Sequence, residues 1–452
     1  MNDMTRTDGI MFSLSRSVLI GLSFWSVALS SSVSLCRSEE LWWPHWRGPL
    51  ANGVVEKGTP PLEWGGAKNI DWVTQVVGAG ASTPIIVGDR LFVVSAEETS
   101  RAVDPPPNKH PDARTEPSQW YQRFWLTALN RATGQELWRK QLTEAAPHEG
   151  HHKTNTYAGG SPVTDGKRLY ISLGSYGLFA CDFDGNELWR KDLGAMRTRR
   201  GWGEASTPTI QGKHLIVAWD SEDQSRLMNL DADSGETQWE VLRDEPSNWS
   251  TPIFVPSESG LQVVLNGTNR VRGYSVDSGE SIWEVGSLSV NAIPSPVFDE
   301  EFIFCMSGYK KSVIYAVPRG SRGDLTGADR IGWSVDRDTP YVASPLLYRG
   351  LLYMTKGLGS RLSVLDPKTG ASYVAAEPLK GLTNVYASPI GVNGFVYIVD
   401  REGNTAVLRA GKTLDLIAVN RINDTVDASP VVVEDRLYLR SWTSVYCIRE
   451  RG

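Results

Sequence analysis

Residues that would anchor covalent, redox or metal chemistry are scarce in this chain. There are four cysteines, no two of them adjacent and no two in a C-x-x-C spacing, which leaves no dithiol or haem-attachment motif. No G-x-S-x-G elbow, H-E-x-x-H or P-loop sequence occurs, so hydrolase and NTPase readings have no support. H-R-D is missing too, and "DFDG" at 182–185 reads as a turn rather than a metal-binding kinase loop. Positive charge is short: a net charge of −6 gives no electrostatic reason to bind nucleic acid or anionic lipid. Long apolar runs are also lacking, apart from "SVLIGLSFWSVAL" (17–29), which is short for a membrane span.

That run has Arg6 and Arg16 ahead of it and small residues up to Ser34 behind it. It reads as a secretory signal peptide occupying residues 1–36, so export to the periplasm or cell envelope is expected. Membrane association would require lipidation of Cys36, and Leu35 is a poor fit to the small residue that normally precedes a lipidated cysteine. Cys181, Cys305 and Cys447 each lie in an apolar strand-like run ("LFACD", "FIFCM", "VYCI") and are expected to be buried structural thiols.

What the chain does have is repetition. Apolar residues make up 40% and aromatics 10%, with 43 glycines and 17 tryptophans, enough for a filled core punctuated by many turns. A Ser-Pro or Ser-Thr-Pro recurs at Pro84, Pro162, Pro208, Pro252, Pro296, Pro345, Pro389 and Pro430. After each come a few apolar residues and a Gly/Asp turn ("VGDRLFVV" at 87, "TDGKRLYI" at 164, "EDRLYL" at 434), then a strand, an acidic turn with Gly, and a Trp. "LTALNRATGQELW" (126–138), "LFACDFDGNELW" (178–189), "LMNLDADSGETQW" (227–239) and "RGYSVDSGESIW" (272–283) are copies of that ending.

Short period-2 runs between such turns predict four antiparallel strands per module. Eight modules of about 45 residues therefore predict an all-β, eight-bladed β-propeller of four-stranded antiparallel blades. Trp72, Trp138, Trp189, Trp239, Trp283 and Trp333 are expected to cover the gap between one blade and the next. The last module, from Ser429, lacks a fourth strand, and "NIDWVTQV" (69–76) supplies it, so an N-terminal strand closes the ring. The propeller is thus assigned to 64–452 and an N-terminal extension to 37–63, with "LWWPHWRGPLANG" (41–53) expected to pack across the outside. The long first interval comes from a Pro-rich, charged insertion at 96–124, expected to be a surface loop.

The sentence "SP…GDRLFV…L-x-A-L-D…TG…LW" resembles the blade repeat of pyrroloquinoline-quinone-like (PQQ-repeat) propellers over nearly all of 64–450. "WPHWRGPLANG" with "YAGGSPVTDGKRLYISLGSYGLFACDFDGNELWRKDLG" is most similar to an exported, largely uncharacterised bacterial branch. More distant members are quinoprotein dehydrogenases and the propeller lipoprotein of the outer-membrane barrel-assembly machinery. The resemblance implies the fold, and a fold hosts many functions. Quinoprotein dehydrogenases hold their quinone between a Trp and a disulfide of adjacent cysteines, with Ca²⁺ and an Asp base; this chain has no such cysteine pair.

In this architecture the residues just before each Ser-Pro converge at the mouth of the axis. They are Asn155 and Tyr157, Trp202 and Glu204, Asn248 and Trp249, Asn291, Tyr341, Asn384 and Tyr386, and Asp424 and Asp427. Aromatics interleaved with amides and carboxylates suit a small polar ligand, a sugar or a peptide; turn-forming and packing residues also collect at such positions. Glu204, Asn291 and Asp427 could offer oxygen ligands to Ca²⁺ but come from different modules. "HEGHH" (148–152) has ligand-like spacing in a loop that would ordinarily be solvated. Arg197, Arg199 and Arg200 lie beside the mouth, where a solvated loop or an anion contact would place them.

The expectation is an exported, monomeric, non-catalytic propeller that binds an envelope or secreted protein, or a small polar ligand, and no nucleic acid. No catalytic residue, metal or cofactor is expected. The alternative is a PQQ-dependent dehydrogenase using the funnel, with the quinone and Ca²⁺ as cofactors. A scaffold acting in envelope assembly would instead use edges and loops.

Overall fold

The computed structural model describes residues 42–451 except Ser259, Ser287, Ala328 and Gly357. The segment expected to be a signal peptide, 1–36, lies outside the described residues, Cys36 included. Eight sheets, each built on four antiparallel strands, follow one another around an axis. Strands are called a to d from axis to rim. Blade 2 shows the pattern, with Val163–Thr164, Leu169–Ser172, Leu178–Cys181 and Glu187–Lys191 paired in order.

The sequence explains the layering. Middle strands such as Leu169–Ser172 and Leu178–Cys181 are buried on both faces and read as unbroken apolar runs. Strand d meets solvent on one face, so Thr237–Arg243 alternates exposed and half-buried residues. The core lies in layers between neighbouring blades. Phe92, Leu126, Leu169 and Phe179 fill the layer between blades 1 and 2; Val217, Leu230, Tyr170 and Ala180 fill that between blades 2 and 3. Cys181, Cys305 and Cys447 are free and buried, and burial pushes the thiols of Cys181 and Cys447 up to about 12.

The turn before each strand d makes the joint to the preceding blade. In blade 3 the Asp231 carboxylate accepts the N–H groups of Asp233 and Ser234, both at 3.0 Å, and Gly235 closes the turn at φ +73°. A Cβ on Gly235 would lie 2.7 Å from the Trp189 ring of blade 2, whose Nε1 donates to the Ala232 carbonyl at 3.1 Å. Trp72, Trp239 and Trp333 donate in the same way to Arg131, Val276 and Pro367. Trp138 packs on Gly185 without a partner for its Nε1. Trp283 departs from the expected role: it turns into its own sheet and donates to the Gln262 side chain at 2.8 Å. Blade 5 reaches strand d by the long 319–332 connection, which offers no Asp-x-x-x-Gly turn to receive it.

Ile70–Gln75 pairs with Ser444–Arg449 as strand d of blade 8, so the chain's two ends close the ring. The segment before it corrects the expectation that it packs across the outside. Trp42–Trp43 pairs with strand a of blade 1, and Val54–Val55 runs parallel to strand a of blade 7. Between them the Pro44 carbonyl accepts the Thr164 N–H of blade 2. Arg47, fully buried, donates to the carbonyls of Pro345 in blade 6 and Pro389 in blade 7 at 2.6 and 3.0 Å. The segment therefore crosses the axis, because its apolar and hydrogen-bonding groups find unpaired inner edges there. It then passes outward, with Trp64 stacked on Tyr397.

Candidate functional site

The residue before each proline forms a belt around the axis. The N–H of Thr83 donates to the Ser161 hydroxyl at 2.9 Å, and Ser161 to Thr207 at 3.0 Å. Further on, Thr251 donates to Ser295, Ser295 to Ser344, Ser344 to Ser388, Ser388 to Ser429, and Ser429 back to Thr83. Seven of the eight blades thus hand a backbone donor to the next blade's hydroxyl, the step from Thr207 to Thr251 being the exception. The repeated Ser-Pro is a ring fastening, and proline follows it where strand a has no ladder N–H to give.

Above the belt lies a cavity of about 360 Å³. The crossing N-terminal segment is its floor, and Trp46 faces it. Its wall takes Asn155, Trp202, Trp249, Tyr341, Tyr386 and Asp427 from the predicted set, together with the eight belt residues. Trp202 and Trp249 lie 6.3 Å apart and inclined by 36°; Tyr341 stacks on Tyr309 at 4.6 Å. Asp427 is held by Arg401 at 2.6 and 3.1 Å and by the Trp442 Nε1 at 2.7 Å. Burial, then Lys153, Arg401 and His151, lowers the His152 pKa below its ordinary value.

Tyr157, Glu204 and Asn248 fall in a separate cavity of about 30 Å³ between blades 2 and 3, room for about one water. Glu204 accepts the Ser175 N–H at 2.8 Å and its hydroxyl at 2.6 Å, and burial pushes its pKa up to about 8. Glu149 beside it is also raised by burial, while its carboxylate accepts the N–H and hydroxyl of Thr198. Asn248 donates to Asp220, which forms a buried ion pair with Arg243 at 2.8 Å. Asn291 is buried and donates to the Tyr341 hydroxyl. Asn384 is exposed, and Asp424 accepts from Tyr446.

Glu204, Asn291 and Asp427 are therefore not brought to one point. The histidines of 148–152 diverge as well: His148 bonds the Met196 carbonyl, His151 lies edge-on to Tyr157, and His152 bonds Thr154. Among the described residues no three His, Cys, Asp or Glu side chains are arranged to hold a metal ion. Arg197 pairs with Asp223 at 2.8 Å. The insertion is built on long strands, Arg90–Ala102 and Trp120–Asn130, and its loop leans over the top face. There Arg114 donates to the Arg200 carbonyl, Thr115 to Gly201, and Ser118 to the Tyr157 hydroxyl.

Sequence reasoning missed Trp46, Tyr309 and Leu358. Tyr309 and Leu358 sit in the b–c loops of blades 5 and 6, which open on the same face as the Ser-Pro mouths. That shared face was a usable signal.

The sequence profile of the family described as outer membrane protein assembly factor BamB matches residues 122–373, more than half of the chain. The chain belongs to this family. No curated protein sequence matches it. Among solved structures, BamB from Moraxella catarrhalis is 15% identical with a TM-score of 0.50, over 84% of this chain and 98% of that one. Quinohemoprotein alcohol dehydrogenase from Comamonas testosteroni is 11% identical with a TM-score of 0.58, over 91% and 81%. A europium-containing methanol dehydrogenase is 9% identical with a TM-score of 0.56, over 91% and 98%. These likenesses carry the propeller fold and no more.

Proposed function

We propose that this BamB-family propeller is an exported, monomeric, non-catalytic protein that binds a small polar ligand in its axial cup. The supporting observation is the cup itself: it is floored by the chain's own segment and lined by aromatic, hydroxyl and amide groups, and its one carboxylate is already paired. Its volume of about 360 Å³ falls at the small end of ligand pockets, which run roughly 300–1,000 Å³. Export rests on the apolar N-terminal run and on the family's description as an outer membrane assembly factor. No helix among the described residues is long and apolar enough to cross a membrane.

The residues present do not fit a Ca²⁺-held quinone. Glu204 and Asp427 line different cavities, Asp427 is bound by Arg401 and Trp442, and the three described cysteines are buried singly in strands. The proposal expects no bound chromophore and no dye-linked alcohol oxidation after incubation with pyrroloquinoline quinone and Ca²⁺; either would restore the dehydrogenase reading. It also expects native mass spectrometry of protein purified from its own envelope to show a small ligand that Trp202→Ala removes. A protein partner is the second reading, favoured by the insertion that leans over the top face and carries Trp120, 41% exposed. Envelope pull-down that is lost on deleting 97–122 would support it.

A further inference from the structure

We infer that the axial cup takes an uncharged saccharide of one or two rings, an inference that rests on the cup being the binding site. Three features of the wall converge on that chemistry.

The first is charge. Asp427 and His152 are the wall groups able to carry charge near neutral pH. Asp427 has its charge met by Arg401, and His152 is kept neutral by burial and nearby cations. An ion entering the cup would lose its hydration without a free counter-charge in the lining, which is costly; Lys153 and Arg199 act on His152 and Tyr341 only from outside that lining. A neutral ligand meets no such penalty.

The second is the direction of the hydrogen bonds. A hydroxyl has two acceptor lone pairs and one donor proton. Seven belt hydroxyls spend a lone pair on the N–H of the preceding blade, and among the described residues none of the eight donates to a protein acceptor. Tyr341 accepts from Asn291 and keeps its own proton. The cup thus presents a ring of donors to a ligand rich in oxygen.

The third is the placement of the aromatic rings, one face of Tyr386 being covered by the Arg401 guanidinium at 4.8 Å and the other left to the cup's contents. Trp202 opens blade 3 and Tyr386 opens blade 7, four places apart in a ring of eight, so they oppose each other across the axis. A pyranose offers apolar C–H faces to such walls and hydroxyls at its equator to the belt. A charged or purely apolar ligand would waste one set of groups or the other.

The test is titration of the full chain, by tryptophan fluorescence and calorimetry, with glucose, galactose, N-acetylglucosamine, maltose and chitobiose, and with glucuronate and glucosamine as charged counterparts. At least one neutral sugar should bind saturably, and its charged counterpart at least tenfold more weakly. Trp202→Ala should weaken it tenfold or more. Thr251→Val, which keeps the shape and touches a hydroxyl that receives no belt hydrogen bond, should weaken it about threefold with an unchanged circular-dichroism spectrum. If no neutral sugar binds, but a co-purified ligand of another class depends on Trp202, the saccharide class is overturned and the cup stands. If no sugar binds and no co-purified ligand depends on Trp202, both are overturned.

Discussion

The rim and the axis of this propeller are built on opposite principles. At the rim, Trp189 on Gly235 repeats what Trp72 does on Gly134, Trp239 on Gly279 and Trp333 on Gly370. At the axis only the Ser-Pro belt repeats, and everything above and below it is individual. Trp202, Tyr386 and Asp427 occupy equivalent mouths with unrelated side chains, and a non-repeating segment crosses beneath them. A ring of identical joints makes a rigid frame; a site needs asymmetry, and the frame leaves it to the one surface where all eight blades meet.

The contrast can be broken from either side. Trp189→Ala should cost the most stability, about 3–5 kcal/mol for a docked aromatic, while leaving ligand affinity within twofold. Chemical denaturation and the sugar titration measure both, and a loss of affinity would show that rim and axis are coupled. Arg47→Ala should follow, at about 2–4 kcal/mol. The guanidinium joins blades 6 and 7, and removing it strands the Pro345 and Pro389 carbonyls against the axis. A loss below about 0.5 kcal/mol, the range of ordinary surface changes, would mean that the crossing segment is not integral.

Glu204→Gln sharpens the comparison through pH. The folded pKa of about 8 lies above the ordinary value of 4.5, so the folded chain holds that proton more tightly than the unfolded one. Its contribution is neutral below pH 4.5, becomes increasingly destabilising as pH rises toward 8, and is constant above. The glutamine variant should therefore flatten that slope and be more stable at pH 8 by on the order of 4 kcal/mol. An unchanged pH profile of stability would place the proton elsewhere.

The frame was legible because it is periodic: turn carboxylates, Gly235-type glycines and the rim tryptophans recur in sequence with the spacing they have in space. Trp283 was misread because its role depends on the next blade's turn, which the 319–332 connection replaces. The axis was half legible. Trp202, Trp249, Tyr341, Tyr386 and Asp427 follow from their offset to Ser-Pro, but Glu204, at nearly the same offset, turns aside into Ser175. Two residues along a chain entering a strand decide which way a side chain points, and the offset alone does not resolve that. The crossing of 42–55 was not legible, since its partners are backbone groups of blades 1, 2, 6 and 7 that carry no side-chain signature.

That crossing turns an open channel into a cup, and hydrogen exchange tests it most directly. In the full chain the amides of 43–55 should be protected to the same degree as the inner strand Ile390–Val392 with which Val54–Val55 pairs. Exchange as fast as in the 103–119 loop would contradict the closed floor, and with it the account of the site.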